Sequence, residues 1–391
     1  SKPPRNMELT DLKTMRDIND YCVRKGIPSL AQGMIELPPP EILRKIASEM
    51  VMQTDIHTYR SRIGELSYRN AIKQFLGQEF NTTIETDNVL ATQGVSSGIV
   101  STLSLVKERG GSTVGLIEPF YTYHIFQIKR LYGDDTPIRY IPLGEPETGF
   151  KPNWEAIENG VKGINGEKKL DVLIVCNPSN PCGRVWTKEE MDKLVQITKE
   201  NDCVLLLDEC YSDMVWSPNV HYSPIQDSLE DHVIVIRGFS KVLGCQSWRV
   251  GFAISSSKTI ASLMHAQDPI YICVPWLQHA IGAYFSEHLD DFVNHKKILS
   301  DLIQNNWKIL SEGLANAFGW KPLPPSGSMY GMFTHNEETD MEAVKKALEK
   351  GVGVCPGSMF FSNFPEKTGF VRIHCGVSNE KANLILSSLK N

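Results

Sequence analysis

The sequence predicts an α/β fold in which a mainly parallel, seven-stranded sheet forms a large domain beside a smaller α+β domain. From about residue 86 onward, seven short runs rich in Val, Ile and Leu alternate with amphipathic helical stretches. Near-continuous apolar strands separated by helices are typical of a parallel sheet covered on both faces. Beyond residue 285 the pattern changes to long helical stretches and shorter β-like runs. We expect the large domain to span 46–299 and the small domain to combine 1–45 with 300–391.

Local patterns predict the individual elements. The prolines Pro38–Pro40 precede a predicted helix at Glu41–Met50. Thr187 and Glu190 form a capping box, which predicts that a second helix begins there. The seven predicted strands are, in chain order, Asn88–Thr92, Thr113–Ile117, Ile138–Ile141, Val172–Cys176, Val204–Asp208, Val233–Arg237 and Val250–Ile254.

The composition excludes several classes of protein. Apolar residues make up 41% of the chain and charged residues 22%, as in soluble globular proteins and unlike disordered chains. The net charge of −6 is unfavourable for binding a nucleic acid, and no apolar run approaches the ~18–20 residues of a membrane span. The nine cysteines lack the spacing of a metal site, so we expect no metal and a cytoplasmic protein. The sequence begins at Ser1, which leaves a removed organellar leader open.

Residues able to do chemistry follow four of the predicted strands at the points where those strands end. In an open α/β sheet, ligands bind at the carboxyl ends of the strands. Each of these residues alone also has an ordinary structural explanation, but their order at successive strand ends favours a ligand site. They are the turn Gly94–Gly98, Asn180, Asp208, Tyr211, Lys241 and Arg249.

The turn Gly94–Gly98 supports two interpretations. It matches the G-x-S-x-G pattern of serine hydrolases, with Ser96 as the nucleophile. It also matches a phosphate cradle, in which small residues let backbone N–H groups at a helix N-terminus face an anion. A hydrolase needs a histidine in a later strand-end loop, and only His374 lies near such a position. The phosphate cradle is therefore favoured, and the hydrolase stays an alternative.

The remaining strand-end residues favour pyridoxal phosphate as the ligand. This cofactor needs a lysine for a Schiff base, an anion site and a carboxylate that keeps its ring nitrogen protonated. Lys241 and Asp208 are candidates for the lysine and the carboxylate. Asn180 and Tyr211 are placed to donate to the phenolate oxygen of the ring, and Arg249 with the Gly94 turn is placed to hold the phosphate.

Together these motifs resemble the fold type I, class I/II pyridoxal-phosphate-dependent aminotransferases, over nearly the whole chain from Gly33 to Arg372. The resemblance implies the fold type I architecture and the transfer of an amino group from an L-amino acid to a 2-oxo acid. The matching segments are Asn177–Gly183, Asp208–Tyr211, Ser240–Lys241 with Arg249–Gly251, Pro325–Tyr330 and Val371–Ile373.

The resemblance implies a role for each matching residue. Lys241 is the Schiff-base lysine and proton carrier, Asp208 the partner of the ring nitrogen, and Tyr211 with Asn180 the partners of the phenolate oxygen. Tyr121 stacks on the ring, and His124 supports Asp208. The residues that hold the phosphate are Val95, Ser96, Ser240 and Arg249, joined by Tyr59 from a neighbouring subunit of a homodimer.

The resemblance also locates the substrate. Arg372 binds the α-carboxylate as a two-pronged fork, and Gly33 and Asn180 border the substrate. Dicarboxylate-specific relatives add a second arginine from the segment that here spans 267–275, and this segment contains no arginine. We therefore expect neutral or aromatic amino acids to be preferred donors.

Several residues depart from the family pattern and bear on the substrate more than on the cofactor. Gly238 replaces the usual Ser or Thr three residues before the lysine, so one hydroxyl to the phosphate is missing. Ile35 and Trp276 replace a proline and a small residue, and we expect both to line the pocket with Tyr121 and Tyr330. A lyase or synthase of the same fold, such as a carbon–sulfur lyase or an aminocyclopropane-carboxylate synthase, remains the alternative activity.

Overall fold

The structure is a computed structural model that describes residues 8–78, 80–270 and 273–390. Its helices are α1 Met15–Lys25, α2 Glu41–Val51, α3 Leu66–Gly77, α4 Gly94–Glu108, α5 Thr122–Tyr132, α6 Trp154–Lys162, α7 Lys188–Glu200, α8 Ser257–Gln267, α9 Pro275–Glu287, α10 Leu289–Phe318, α11 Asp340–Glu349 and α12 Asn379–Lys390. Its strands are β1 Val89–Thr92, β2 Val114–Glu118, β3 Ile138–Pro142, β4 Val172–Cys176, β5 Val204–Asp208, β6 Val233–Gly238, β7 Gly251–Ile254, β8 Lys321–Leu323, β9 Tyr330–Thr334, β10 Cys355–Pro356 and β11 Phe370–His374.

The large sheet contains seven strands in the order β1-β7-β6-β5-β4-β2-β3. Strand β7 runs antiparallel to both of its neighbours, and the other pairs are parallel. Each strand begins and ends within one residue of its predicted run. The predicted α/β class with a mainly parallel seven-stranded sheet is therefore confirmed.

Both faces of this sheet are buried, as the near-continuous apolar strands predict. Along β5, Leu205 and Leu207 pack into one apolar cluster while Leu206 packs into another on the opposite face. Strand side chains alternate between faces, so a strand that is apolar at every position needs cover on both sides. Helix α4 covers one of these faces, and helix α7 begins at the predicted capping box of Thr187 and Glu190.

A second sheet of four antiparallel strands, in the order β10-β11-β9-β8, forms the smaller α+β part of the molecule. Its apolar cluster joins residues of α1, such as Ile18, to residues of α10, α11 and α12, such as Leu310, Val344 and Ile385. The N-terminal segment thus packs with the C-terminal part of the chain. The domain boundaries 46–299, 1–45 and 300–391 stay a prediction.

Within the described ranges, no helix combines the length and apolar character needed to cross a bilayer. The same residues contain no group of three or more His, Cys, Asp or Glu side chains placed to hold a metal ion.

The topology brings distant parts of the sequence to one edge of the large sheet. Strands β1, β4, β5 and β6 point the same way, because β7 reverses direction between β1 and β6. Their carboxyl ends therefore meet, and the loops that follow them carry the predicted site residues.

Candidate active site

One cavity lies between the carboxyl edge of the large sheet and the smaller part of the molecule. Of the residues predicted to do the chemistry or to bind the cofactor and the substrate, all except Tyr59 line it. They are Gly33, Val95, Ser96, Tyr121, Asn180, Asp208, Tyr211, Ser240, Lys241, Arg249 and Arg372. Tyr59 is 84% exposed and lies outside this cavity, and its predicted place in a neighbouring subunit's site stays a prediction.

Lys241 stands in the loop after β6 and reaches across the cavity. Its Nζ donates a hydrogen bond to the carbonyl oxygen of Gly33 at 2.9 Å. Burial lowers the pKa of Lys241, and the nearby guanidinium groups of Arg372 and Arg249 lower it further, against an opposing effect of Cys210. A lysine with a lowered pKa is more often neutral near pH 7, which suits it to nucleophilic attack and proton transfer.

Asp208 ends β5 and is 2% exposed. Its Oδ1 accepts a hydrogen bond from the backbone N–H of Cys210 at 3.3 Å, and its Oδ2 lies 3.1 Å from Nε2 of His124. The imidazole of His124 in turn meets the ring of Tyr121 edge-on, with ring centroids 5.3 Å apart. The carboxylate is thus held from two sides.

Another group of lining residues combines two phenols with a buried guanidinium. The hydroxyls of Tyr211 and Tyr330 are 3.0 Å apart, and burial raises the pKa of the Tyr211 phenol well above its ordinary value. Tyr211 therefore stays protonated and able to donate. Arg372 lies between the rings of Tyr330 and Phe360, and its Nη1 donates to Oδ1 of Asn180 at 2.7 Å. This arrangement fixes the plane of the guanidinium.

The first turn of α4 forms an anion cradle at the other end of the cavity. Gly94 has φ +75°, and a Cβ there would lie 2.6 Å from Nη2 of Arg249, so only glycine lets the arginine approach the helix. Nη1 of Arg249 donates to Oγ of Ser240 at 3.4 Å. Backbone N–H groups of a first helical turn have no partner within the helix, so those of Val95 and Ser96 are suited to bind phosphate.

Residues 25–389 match the family model for class I and II aminotransferases. The chain belongs to this family. It is therefore a pyridoxal-phosphate-dependent aminotransferase, as the resemblance of its motifs predicted, and the cofactor and enzyme class are confirmed.

Individual relatives are distant but extend over nearly the whole enzyme. The aminotransferase is 24% identical to an aspartate aminotransferase of Thermotoga maritima, covering 94% of this chain and 92% of that one. It is 25% identical to an aromatic aminotransferase of Arabidopsis thaliana, covering 94% and 90%. An aspartate aminotransferase structure from Thermus thermophilus with maleate superposes with a TM-score of 0.84 at 20% identity over 98% of both chains. The fold type I architecture is thereby confirmed.

The cavity of the aminotransferase fits pyridoxal phosphate. Two buried donors, Nδ2 of Asn180 and Nε of Arg372, have no hydrogen-bond partner among the described residues, although unpaired buried donors are rare. Both residues line the cavity, so a ligand there can satisfy them. The anion cradle of α4, Ser240 and Arg249 suits the phosphate, and the carboxylate of Asp208 suits a protonated ring nitrogen.

The structure and the family membership both argue against the serine-hydrolase alternative. No histidine is among the described residues that line the cavity beside Ser96. His374, the one candidate base, is fully buried, and burial with the charge of Arg372 lowers its pKa to about 3.

Two residues predicted to line the pocket do not do so. The side chain of Ile35 packs into the core of the smaller part, and Trp276, on α9, packs against the core of the large sheet. Tyr121 and Tyr330 line the cavity as predicted. A sequence position beside a pocket segment does not reveal which way the side chain faces, and for Ile35 it faces Gly376.

At Gly238 the structure explains the departure from the usual Ser or Thr. A Cβ at Gly238 would lie 3.0 Å from Cγ2 of Val95, so the branched Val95 occupies the space a side chain would need. Ser240, beside Arg249, is then the nearby hydroxyl left to face the cradle.

Other cavity residues were absent from the sequence predictions. Met15 of α1 covers the guanidinium of Arg372, with Sδ 3.1 Å from Nη2. Gln127 donates to the carbonyl of Ser96 at 3.1 Å. Gln246 holds the backbone of Ile35. Only Gln246 carried a usable signal, because it lies between Lys241 and Arg249 in the chain.

Proposed function

We propose that this aminotransferase takes the amino group of neutral or aromatic L-amino acids and passes it to a 2-oxo acid, with Lys241 forming the Schiff base. The observation that carries the substrate class is the charge of the cavity. Of the described residues that line it, only Lys241, Arg249 and Arg372 are cationic. Arg249 belongs to the phosphate cradle and Arg372 to the α-carboxylate. None is left for a second carboxylate.

Two arginines close in sequence to Tyr59, Arg60 and Arg62, are the other candidates for binding a second carboxylate, and both are engaged elsewhere. Arg62 forms an ion pair with Asp268, and Arg60 lies 3.2 Å from Glu65. Neither lines the cavity. Within the segment 267–275, Tyr271 and Ile272 lie outside the described residues.

Four of the lining side chains have separate roles in the reaction. Arg372 binds and orients the α-carboxylate, because its guanidinium plane is fixed between two aromatic rings. When bound, pyridoxal phosphate supplies an electron sink for the charge left at the α-carbon. Lys241 accepts the α-proton at Nζ and returns it, which its lowered pKa favours. Tyr211 would donate a hydrogen bond to the phenolate oxygen of the cofactor, and the carboxylate of Asp208 would hold its protonated ring nitrogen.

A panel of L-amino acids tests the substrate class. We expect kcat/KM for leucine, methionine, phenylalanine and tyrosine to exceed that for aspartate by about tenfold or more, because an unpaired carboxylate would have to be desolvated in the cavity. Steady-state kinetics with one common 2-oxo acid acceptor measure this directly. A kcat/KM for aspartate above that of every neutral and aromatic donor would refute the substrate class while leaving the aminotransferase assignment intact.

The same panel separates transfer from the lyase alternative. Amino-group transfer yields a 2-oxo acid and leaves the cofactor in its amine form, whereas elimination releases ammonia or a thiol. The named relatives are aminotransferases, which favours transfer.

We further propose a homodimer with shared active sites. Tyr59 is 84% exposed, and Met52 and Leu66, on either side of it in sequence, are exposed apolar side chains, as expected of a face covered by a second copy.

Inactive Tyr59→Ala and Lys241→Ala chains, refolded together, should regain about a quarter of wild-type activity. Half of the dimers are then hybrids, and each hybrid has one of its two sites intact. Each variant alone is the control, and a fully active monomer in sedimentation would contradict the proposal.

A further inference from the structure

Gln246 lines the cavity without a role in the proposed reaction. Its side-chain amide forms two hydrogen bonds with a single residue far away in sequence. Oε1 accepts from the backbone N–H of Ile35 at 3.1 Å, and Nε2 donates to the backbone carbonyl of Ile35 at 2.9 Å. Such a two-point contact fixes both the position and the orientation of a main-chain segment.

The segment held by Gln246 contains the acceptor for the catalytic amine. Gly33, two residues before Ile35, provides the carbonyl oxygen that lies 2.9 Å from Nζ of Lys241. The lysine loop approaches the same segment again at Gly244, where a Cβ would lie 2.3 Å from the carbonyl oxygen of Leu37. The two pieces of chain therefore meet at Lys241, at Gly244 and at Gln246.

Gly33 also packs closely against the side chain of Tyr330. A Cβ at Gly33 would be 1.9 Å from the hydroxyl of Tyr330, which is itself buried and 3.0 Å from the hydroxyl of Tyr211. Gly33 thus has no room to shift toward Tyr330, and the hydrogen bonds of Gln246 hold the main chain two residues further on, at Ile35. The segment that carries the carbonyl is supported at both of these points.

We propose that Gln246 is a positioning residue, which holds the carbonyl of Gly33 against the amine of Lys241 whenever that amine is not bound to the cofactor. The inference rests on the proposed function of Lys241 as the proton carrier. A proton transfer needs the donor and acceptor within hydrogen-bond reach, and the held carbonyl keeps the flexible lysine chain near one place.

The charge balance around Lys241 gives the sign of a measurable effect. The charges that act on Lys241 come from the guanidinium groups of Arg249 and Arg372, the thiol of Cys210 and the imidazole of His374. The carboxylate of Asp208 and the phenols of Tyr121, Tyr211 and Tyr330 line the same cavity. A carbonyl that accepts from the amine stabilises the ammonium form and so opposes the lowering by burial and by the arginines. Release of the Gly33 carbonyl should therefore lower the pKa of Lys241 further.

Gln246→Met tests the proposal, because methionine has a similar size but cannot bond to Ile35. Gln246→Asn keeps the amide on a side chain one methylene shorter, so this variant should behave between Gln246→Met and the wild type. The matched control is Gln278→Met. Gln278 is buried, whereas Gln246 is partly exposed, and it likewise bonds to the main chain at two points, Glu65 N and Cys273 O, both at 2.8 Å, but it lies outside the cavity.

The first measurement uses the apoenzyme and needs no turnover. The rate at which added pyridoxal phosphate is captured covalently depends on the fraction of Lys241 that is neutral. In Gln246→Met the pH profile of this capture rate should shift to lower pH relative to the wild type, and in Gln278→Met it should not shift.

The second measurement is a single turnover with protonated and α-deuterated amino acid. In Gln246→Met we expect the rate constant for α-proton removal to fall between about tenfold and a hundredfold. The kinetic isotope effect should rise, and KM, measured separately in the steady state, should change little. Equal effects of Gln246→Met and Gln278→Met, or an unshifted capture profile, would overturn the inference. If the wild-type apoenzyme captures no cofactor covalently, the proposed function itself fails, and this result differs from a failure of the Gln246 proposal alone.

Discussion

Lys241→Ala should lose the covalent bond to pyridoxal phosphate and lower kcat by about 10²–10⁴-fold or more. Lys241 is the cavity lysine, it has a lowered pKa, and its Nζ faces the substrate side at Gly33. The variant removes the nucleophile that binds the cofactor and the base that moves the α-proton. Because the side chain contributes little to either apolar core, the thermal stability of the apoenzyme should change little.

Reduction with borohydride followed by peptide mapping measures the covalent bond, and single-turnover spectroscopy measures proton removal. The matched control is Lys258→Ala, since Lys258 lies on the exposed surface of α8, paired with Asp231. Retention of wild-type turnover in Lys241→Ala would refute the placement of the reaction in this cavity.

The large sheet could be predicted from the sequence because most of its strands are near-continuous apolar runs. A strand such as Val204–Asp208 needs no distant information to be identified, since four apolar residues in a row end at a charged one. Parallel topology then places the ends of β1, β4, β5 and β6 at one edge. Asp208, Lys241 and the Gly94 turn belong to that edge, which is why they emerged together from the sequence.

The remaining parts of the site depend on contacts between segments that are far apart in sequence. Met15 reaches Arg372 across 357 positions, and Gln246 reaches Ile35 across 211. Neither residue type has a preference that predicts such a contact, because an amide or a thioether serves equally well in a core or on a surface. For the same reason the predicted pocket contacts of Ile35 and Trp276 were wrong. Both are apolar, and apolar residues satisfy a core as well as a cavity wall.

Asp208→Asn should slow α-proton removal by about 10²-fold and weaken cofactor binding, with little loss of stability. Asparagine has the shape of aspartate and can still accept from the N–H of Cys210, so the main chain at the end of β5 is preserved. What the variant removes is the negative charge. An opposite charge within a few ångströms favours the protonated ring nitrogen by about 1–3 pKa units, and the protonated ring is the better electron sink.

The neighbouring carboxylate of Glu209 provides the contrast. Glu209 is fully buried, lies 2.9 Å from Arg237, and does not line the cavity. Removal of one partner of a buried ion pair leaves the other charge without compensation, so Glu209→Gln should lower stability by about 3–5 kcal/mol. The rate of proton removal in the folded enzyme should remain unchanged.

The two variants change adjacent residues, and we expect one to affect the rate of proton removal and the other to affect the stability of the fold. Thermal unfolding of the apoenzymes and single-turnover rates of the cofactor-loaded enzymes, measured on both, should give opposite patterns. If Asp208→Asn keeps the wild-type rate and instead loses stability, Asp208 serves to hold Cys210 and His124 in place. The ring nitrogen would then have to face another part of the cavity. Asp208 is the one carboxylate among the described lining residues, so protonation of the ring nitrogen would depend on a neutral donor or on water.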